Sequence, residues 1–160
     1  MMLLLAIAAM FVAPNMASFI RGRSLNFEAR RMLSLTHHAQ SRAVSEGQPV
    51  LLWFNPANST YGIERLGGYA SGEDRPLSFT ADPGVTFSAP TTETQTASEQ
   101  NDEALGLPEG LPVIRFNPDG FFDEVSARRI LLQQGTEHAL ELAQKDDLLG
   151  YEIRPAVLPR

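Results

Sequence analysis

The sequence contains no cysteine. That removes a disulfide framework, a thiolate metal site and a cysteine nucleophile at once. It leaves the compartment open, because a chain of 160 residues can stand on its hydrophobic core without bridges even in an oxidising space. A P-loop, a nucleophile elbow and a G-x-G-x-x-G fingerprint are missing too, and Gly67-Gly68 is a lone turn signal. No D-x-[DN]-x-[DN]-G loop occurs, so Asp119-Gly120 and Asp146-Asp147 read as turn residues rather than calcium ligands. His37 and His38 are adjacent, and on a helix they diverge by about 100° and cannot chelate one metal together. His138, with Glu137 and Glu141 near in sequence, lacks the further partners that a zinc or acid-base site needs. Asn58-Ser59-Thr60 fits a glycosylation sequon that matters only in a eukaryotic secretory setting, and it reads first as a turn. The expectation is a chain with no catalytic residue, no metal, no cofactor and no small-molecule substrate.

Charge is missing from a whole segment. Met1 to Ile20 carries none, Arg21 to Glu46 carries five Arg against Glu28 and Glu46, and eight of the 13 basic and 17 of the 19 acidic residues follow from Gly47 onward. The distal part is therefore acidic, which disfavours nucleic acid as a partner, since a phosphate backbone needs clustered Lys and Arg. An apolar content of 43% fits a packed core, and the length suits one ordinary domain.

The uncharged segment opens with an unbroken apolar run, Met1 to Ala13. As a helix it is roughly 20 Å long, short of the roughly 30 Å hydrocarbon core. Pro14 and Asn15 interrupt it, and Met16, Ala17, Phe19 and Ile20 carry the apolar character on to Arg21, which permits a kinked span over residues 1–20. Three readings compete. A cleaved signal peptide calls for a basic start and a small-x-small end, and neither is present. A buried core helix explains the run but not its lack of any polar face. A membrane anchor accounts for both, with Leu5, Phe11, Pro14, Phe19 and Ile20 as its membrane and assembly contacts.

Helical character continues over residues 21–47. Leu25, Ala29, Met32, Thr36, Ala39 and Ala43 recur at alternating spacings of four and three, which is one helical stripe. Leu25, Ala29, Met32, Ala39 and Ala43 are expected to pack this helix on a sheet, with Arg30, Arg31, Gln40 and Arg42 on the opposite side. Gly47 supplies a left-handed cap, and Pro49 prevents resumption. Residues 48–160 then read as short strands and turns. Pro49–Phe54 and Thr60–Leu66 flank the turn Asn55–Ser59, and Leu77–Phe79 and Val85–Phe87 flank Asp82-Pro83-Gly84 as a second hairpin. Val113–Phe116, Arg129–Gln133, Ala139–Leu142 and Tyr151–Ile153 follow, and such short connections imply antiparallel pairing. The stretch 88–106 has no aromatic residue, no Lys or Arg and four acidic residues, and it reads as a solvated loop, either a contact loop at an assembly surface or a tolerated insertion.

The order of these features carries a resemblance. An apolar run, Pro14, an Arg-rich helix, Ala39-Gln40-Ser41-Arg42-Ala43-Val44-Ser45-Glu46-Gly47 and a strand come first. Ile114-Arg115-Phe116-Asn117-Pro118-Asp119-Gly120 and Ile130-Leu131-Leu132 follow. Together they resemble the GspH/FimT family of minor pseudopilins and minor type IV pilins, with Phe116, Pro118 and Gly120 as the family turn motif. The resemblance implies an α+β, pilin-like fold, a long N-terminal α-helix packed on a C-terminal antiparallel β-domain. It implies a non-enzymatic subunit of a type II secretion pseudopilus, at the tip or in assembly initiation, or alternatively a FimT-like minor pilin acting in pilus assembly or DNA uptake. Partners would be other pseudopilins or pilins, met through the N-terminal helix, and the bacterial inner membrane, crossed once with the β-domain in the periplasm. Family members are made as prepilins, cut after a glycine, N-methylated, and carry a glutamate early in the mature helix. Measured back from Pro14, that glutamate and its basic leader are expected before Met1. Some members contact DNA through a basic tail, for which Arg154 and Arg160 are the candidates here. A third reading, a soluble secreted β-domain behind a cleaved signal, predicts a mature start near Ser18.

Overall fold

A computed structural model describes residues 2–66, 77–89, 111–123, 126–136 and 138–156, with side chains from Arg23 onward. Helix α1, Met2–Glu46, is continuous over 45 residues, so Pro14 does not end it. At about 1.5 Å per residue it is on the order of 67 Å long, far more than a domain of this size spans. Gly47 closes it with a left-handed φ of 66°, which a residue without Cβ adopts freely.

Beyond the helix lie β1 (Val50–Asn55), β2 (Thr60–Arg65), β3 (Leu77–Thr80), β4 (Val85–Ser88), β5 (Val113–Phe116), β6 (Arg129–Gln134), β7 (His138–Gln144) and β8 (Tyr151–Pro155). They form two four-stranded sheets, ordered β3-β2-β1-β5 and β4-β6-β7-β8. Every pair is antiparallel. The β1–β2 hairpin turns where Asn55 Oδ1 accepts from the backbone N–H groups of Ala57 and Asn58, at 3.1 and 3.3 Å. Gly62 sits in β2 where a Cβ would meet the Leu77 carbonyl at 2.5 Å and the Trp53 ring at 2.8 Å, so the residue type sets how closely β3 approaches.

The expected hairpin across Asp82–Gly84 is not formed. β3 pairs with β2 and β4 with β6, so this turn carries the chain from one sheet to the other. The helix fixes the crossing: Ser24 Oγ donates to Asp82 Oδ2 at 2.7 Å, and the Asp82 N–H donates to Glu28 at 3.3 Å. Between the sheets the rings of Phe54 and Phe87 meet edge to face at 6.1 Å, and Phe54 also stacks on Tyr61 at 6.3 Å. α1 lies over the junction, touching β1 and β5 of one sheet and β4, β6, β7 and β8 of the other.

Candidate functional site

What a helix held on a β-domain can do depends on how firmly it is held. Leu25 is 2% exposed, and Ala29, Met32, Ala39 and Ala43 are fully buried. Three of those five are alanine, whose small side chain lets the helix backbone approach the sheets while Met32 fills the remaining space. Thr36 shares the stripe and satisfies its buried hydroxyl on the Leu33 carbonyl at 2.8 Å.

A buried carboxylate sits within the stripe. Glu28 is wholly buried, and it accepts hydrogen bonds from Tyr61 Oη, from Arg31 Nη2 at 2.6 Å and from the Asp82 N–H. Arg31 also donates from Nε to Tyr61 Oη at 2.6 Å and from Nη2 to the Thr80 carbonyl at 2.9 Å. Its guanidinium lies over the rings of Tyr61 and Phe79, at 5.6 and 5.3 Å from their centroids. Burial works against the Arg31 charge, and the bonds to Tyr61 and Glu28 outweigh it. Arg31 was expected on the solvent side of the helix and instead joins α1 to β2 and β3. The reason is chemical: a carboxylate taken out of water needs a cation and donors, and Arg31 stands one turn on, where it supplies both.

A second clamp lies near the end of the helix. Gln40, also expected to face away, donates from Nε2 to the carbonyls of Gly120 at 2.7 Å and Leu149 at 3.3 Å. The turn motif is built for this contact. Phe116 is buried against Phe122 and Tyr151, Pro118 is exposed at the tip, and Gly120 has φ 86° with the Val44 side chain 3.3 Å from where a Cβ would stand. Glu46 bonds Arg42 at 2.7 Å and Arg65 at 3.2 Å, closing the helix onto β2.

Groups with catalytic potential are dispersed. His37 and His38 are exposed, His138 begins β7, and Glu137 lies outside the described residues. Among the described residues no group of three or more potential ligands is placed to hold a metal. Asp119 and Asp147 accept from the backbone N–H groups two residues on, as turn residues do. Arg154 is engaged by Glu152 and by Asp146 at 3.4 Å, and Arg160 lies outside the described residues. A groove of about 680 Å³ beside Phe121 and Leu148 holds two titratable side chains, Asp123 and Arg128. Leu5, Phe11, Pro14, Phe19 and Ile20 lie on α1, and their side chains are outside the described residues, as is most of the polar stretch 88–106. Among the described residues no helix is long and apolar enough to cross a membrane.

Sequence reasoning missed Glu28 and Tyr61. The signal for Glu28 was its spacing, three residues after Leu25 and four before Met32, with Arg at i+3.

The Tyr61 phenol has a pKa raised above its ordinary value, first by burial and then by its bond to the Glu28 carboxylate. Burial raises that of Tyr151 in the same direction. Folding therefore favours the protonated phenols. Their contribution is complete below the unfolded value of about 10 and is lost as pH rises from there toward the folded value. Urea midpoints between pH 9 and 11 are expected to fall with rising pH, and to fall less steeply in Tyr61→Phe. A midpoint flat to pH 11 would show that the phenols are not held neutral.

Residues 28–144 match the family described as type II transport protein GspH. A comparison with curated proteins finds no match. Among solved structures, the minor pseudopilin EpsH of the Vibrio cholerae type 2 secretion system is similar, with TM-score 0.57 at 10% identity over 86% of this chain and 99% of that one. A second structure of EpsH gives 0.54 at 7% identity over 83% and 96%. The type IV minor pilin FimU of Pseudomonas aeruginosa gives 0.55 at 16% identity over 86% and 92%. The identities are low enough that these likenesses speak for the fold, while the sequence match covers most of the chain. The chain shares its fold with a minor pseudopilin and a minor pilin, and by the sequence match it belongs to the GspH family.

Proposed function

We propose that the chain is a minor pseudopilin of a type II secretion pseudopilus, acting at the tip or in assembly initiation and supporting protein secretion. The observation that carries this is the single unbroken helix of 45 residues, clamped along its second half to an acidic β-domain and uncharged along its first. Such a helix is a stalk: residues 1–20 form the inner-membrane and filament-core segment, residues 21–47 the clamped continuation, and residues 48–160 the domain held in the periplasm. Helices bundled in a filament core need uncharged surfaces on all sides, and Leu5, Phe11, Pro14, Phe19 and Ile20 supply that packing in this reading. Leu25, Ala29, Met32, Ala39 and Ala43 keep domain and stalk moving as one body, and the turn of Phe116, Pro118 and Gly120 seats the domain on the helix.

Phe11→Arg places a charge where insertion costs about 2.5–3.5 kcal/mol at a membrane centre. In the parent bacterium it is expected to abolish export of type II substrates into the medium, as deletion does, while leaving the β-domain folded. Normal export in the deletion strain would sink the secretion reading. The likeness to FimU supports a second reading, a minor type IV pilin acting in pilus assembly or DNA uptake. Deletion would then abolish surface piliation or transformation and leave export intact. DNA contact through the tail has little charge to draw on, because Arg154 already pairs with Glu152 and Asp146.

A further inference from the structure

The β-domain begins almost where the uncharged run ends. Ile20 is the last residue of that run, and Leu25 is already packed against the sheets at 2% exposure. Ser24 Oγ donates to Asp82 Oδ2 at 2.7 Å, which places the crossing between the sheets about 6 Å along the helix from Ile20. Two hairpin turns lie near the same level. The Ser59 carbonyl accepts from the Ala81 N–H at 2.8 Å, which sets the turn 55–59 beside the crossing, and Val85 pairs with Gln134, which brings up residues 135–136. Because α1 is one unbroken helix, no linker separates this end of the domain from residues 1–20.

Charge is distributed unevenly along the same axis. The exposed carboxylates Asp119, Asp146 and Asp147 stand at the far end, on the turns that Gln40 holds through the Gly120 and Leu149 carbonyls. At the near end the exposed turn residues Pro56, Ala57, Asn58, Pro83, Gly135 and Thr136 carry no charge. The carboxylate described there, Asp82, is held by Ser24, and Glu28 is buried. On the helix beside them Arg23 and Arg30 are exposed, and among the described residues neither has an ion-pair partner. Phe27 lies between them at 60% exposure. The three stand on one side of the helix, at spacings of four and three.

We propose that this end of the domain is a lipid-facing surface. In the membrane-held subunit Arg23 and Arg30 bind the phosphates of anionic phospholipid headgroups, Phe27 enters the interface, and the turns 55–59 and 81–84 rest on the headgroup layer. That layer adds about 5–8 Å on each side of the hydrocarbon, the depth at which Ser24 and Asp82 stand. Helix side chains lean toward the N-terminus, so Phe27 and the long Arg30 reach back toward the bilayer from their own positions. An aromatic ring flanked by cations is the composition that settles at a membrane interface. The acidic residues at the far end strengthen the case, since an anionic surface repels that end and attracts the near one. The domain would thereby be held upright on the bilayer before assembly. The inference rests on the reading of residues 1–20 as the membrane segment.

Because the chain has no cysteine, one reporter can be placed at either end. The full chain carrying Asn58→Cys or Asp146→Cys is labelled with a fluorophore. It is then reconstituted in vesicles of phosphatidylcholine and phosphatidylglycerol that contain a nitroxide-headgroup lipid. Quenching at position 58 is expected to be at least threefold that at position 146. The ratio of quenched to unquenched reporter at 58 should fall about fivefold for each of Arg23→Gln and Arg30→Gln, the effect of one cation lost near an anionic surface. It should fall likewise without phosphatidylglycerol or at high salt. Arg23→Lys with Arg30→Lys should retain it, and an unchanged urea midpoint in the Gln variants shows that the fold is intact. Equal quenching at both ends, or quenching indifferent to the arginines or to phosphatidylglycerol, would overturn the proposal. So would quenching at 58 that appears only when another subunit is reconstituted alongside, which would give the surface to a protein neighbour. Flotation separates the two failures. A chain that floats with the vesicles and resists carbonate extraction but is not quenched at 58 defeats the lipid surface alone, and one that does not float defeats the membrane reading as well.

Discussion

Glu28→Ala is expected to destabilise the chain by about 3 kcal/mol and to loosen α1 from the β-domain. Breaking a buried ion pair from one side costs about 3–5 kcal/mol because the other charge is left without its partner. The lower end applies here, since the Arg31 side chain is 27% exposed and keeps Tyr61 and the Thr80 carbonyl as acceptors. The Asp82 N–H loses its acceptor as well, at the point where the chain crosses between sheets. Replacing both charges, as Glu28→Leu with Arg31→Met, should recover most of the loss, because a buried pair exchanged for apolar groups of similar volume is close to neutral. Urea unfolding followed by the fluorescence of Trp53, the single tryptophan, measures all the variants. If the double variant costs the sum of Glu28→Leu and Arg31→Met measured singly, the pair is not coupled and the lock is wrongly identified. Under the proposed function the consequence would reach assembly, since a helix that slips on its domain no longer fixes how the domain faces its neighbours.

Much of this architecture was legible in the sequence because its signals are local. Gly47 and Pro49 end the helix at the predicted place, and the turns at Asn55–Ser59 and Asn117–Gly120 bracket strands within a residue or two of their expected limits. The α+β, pilin-like fold followed from that order. Pairing was less legible, because it is set by contacts distant in sequence. The Val85–Ser88 strand sits after a good hairpin turn, yet its partner is Arg129–Gln134, more than 40 residues on, while Ser24 and Glu28 hold Asp82 at the crossing between the sheets. The charged residues of the helix were misjudged for a related reason. Arg31 and Glu28 look like one more solvated pair at i+3, and it takes Tyr61, 33 residues further on, to make their burial favourable. Gln40 is legible as a clamp only once the Gly120 and Leu149 carbonyls arrive beside it. The run from Met1 to Ile20 speaks through composition alone, since an uncharged run states what it avoids and not what it touches.

Phe54→Ala is expected to cost about 3–5 kcal/mol, the range for truncating a buried aromatic, and to lower the melting temperature by about 10 °C or more for a chain of this length. Phe54 is fully buried on β1 and is one of the rings through which the two sheets meet, stacked on Tyr61 of its own sheet and edge to face with Phe87 of the other. Its loss removes burial and leaves a cavity where neither sheet can close without moving the other. It should also reach the helix, because Tyr61 is held by the Phe54, Phe79 and Phe87 rings with its hydroxyl on Glu28. A Tyr61 ring free to tilt into the cavity loses that bond. Combining Phe54→Ala with Tyr61→Phe should therefore cost at least about 0.5 kcal/mol less than the sum of the single variants, the size of coupling that residues in contact show. Phe121→Ala is the control, since its side chain is half exposed and a surface truncation should stay within about 0.5 kcal/mol of neutral. Strict additivity of the first two would mean that the ring stack fills space without positioning the phenol, and the helix lock would then stand independently of the core beneath it.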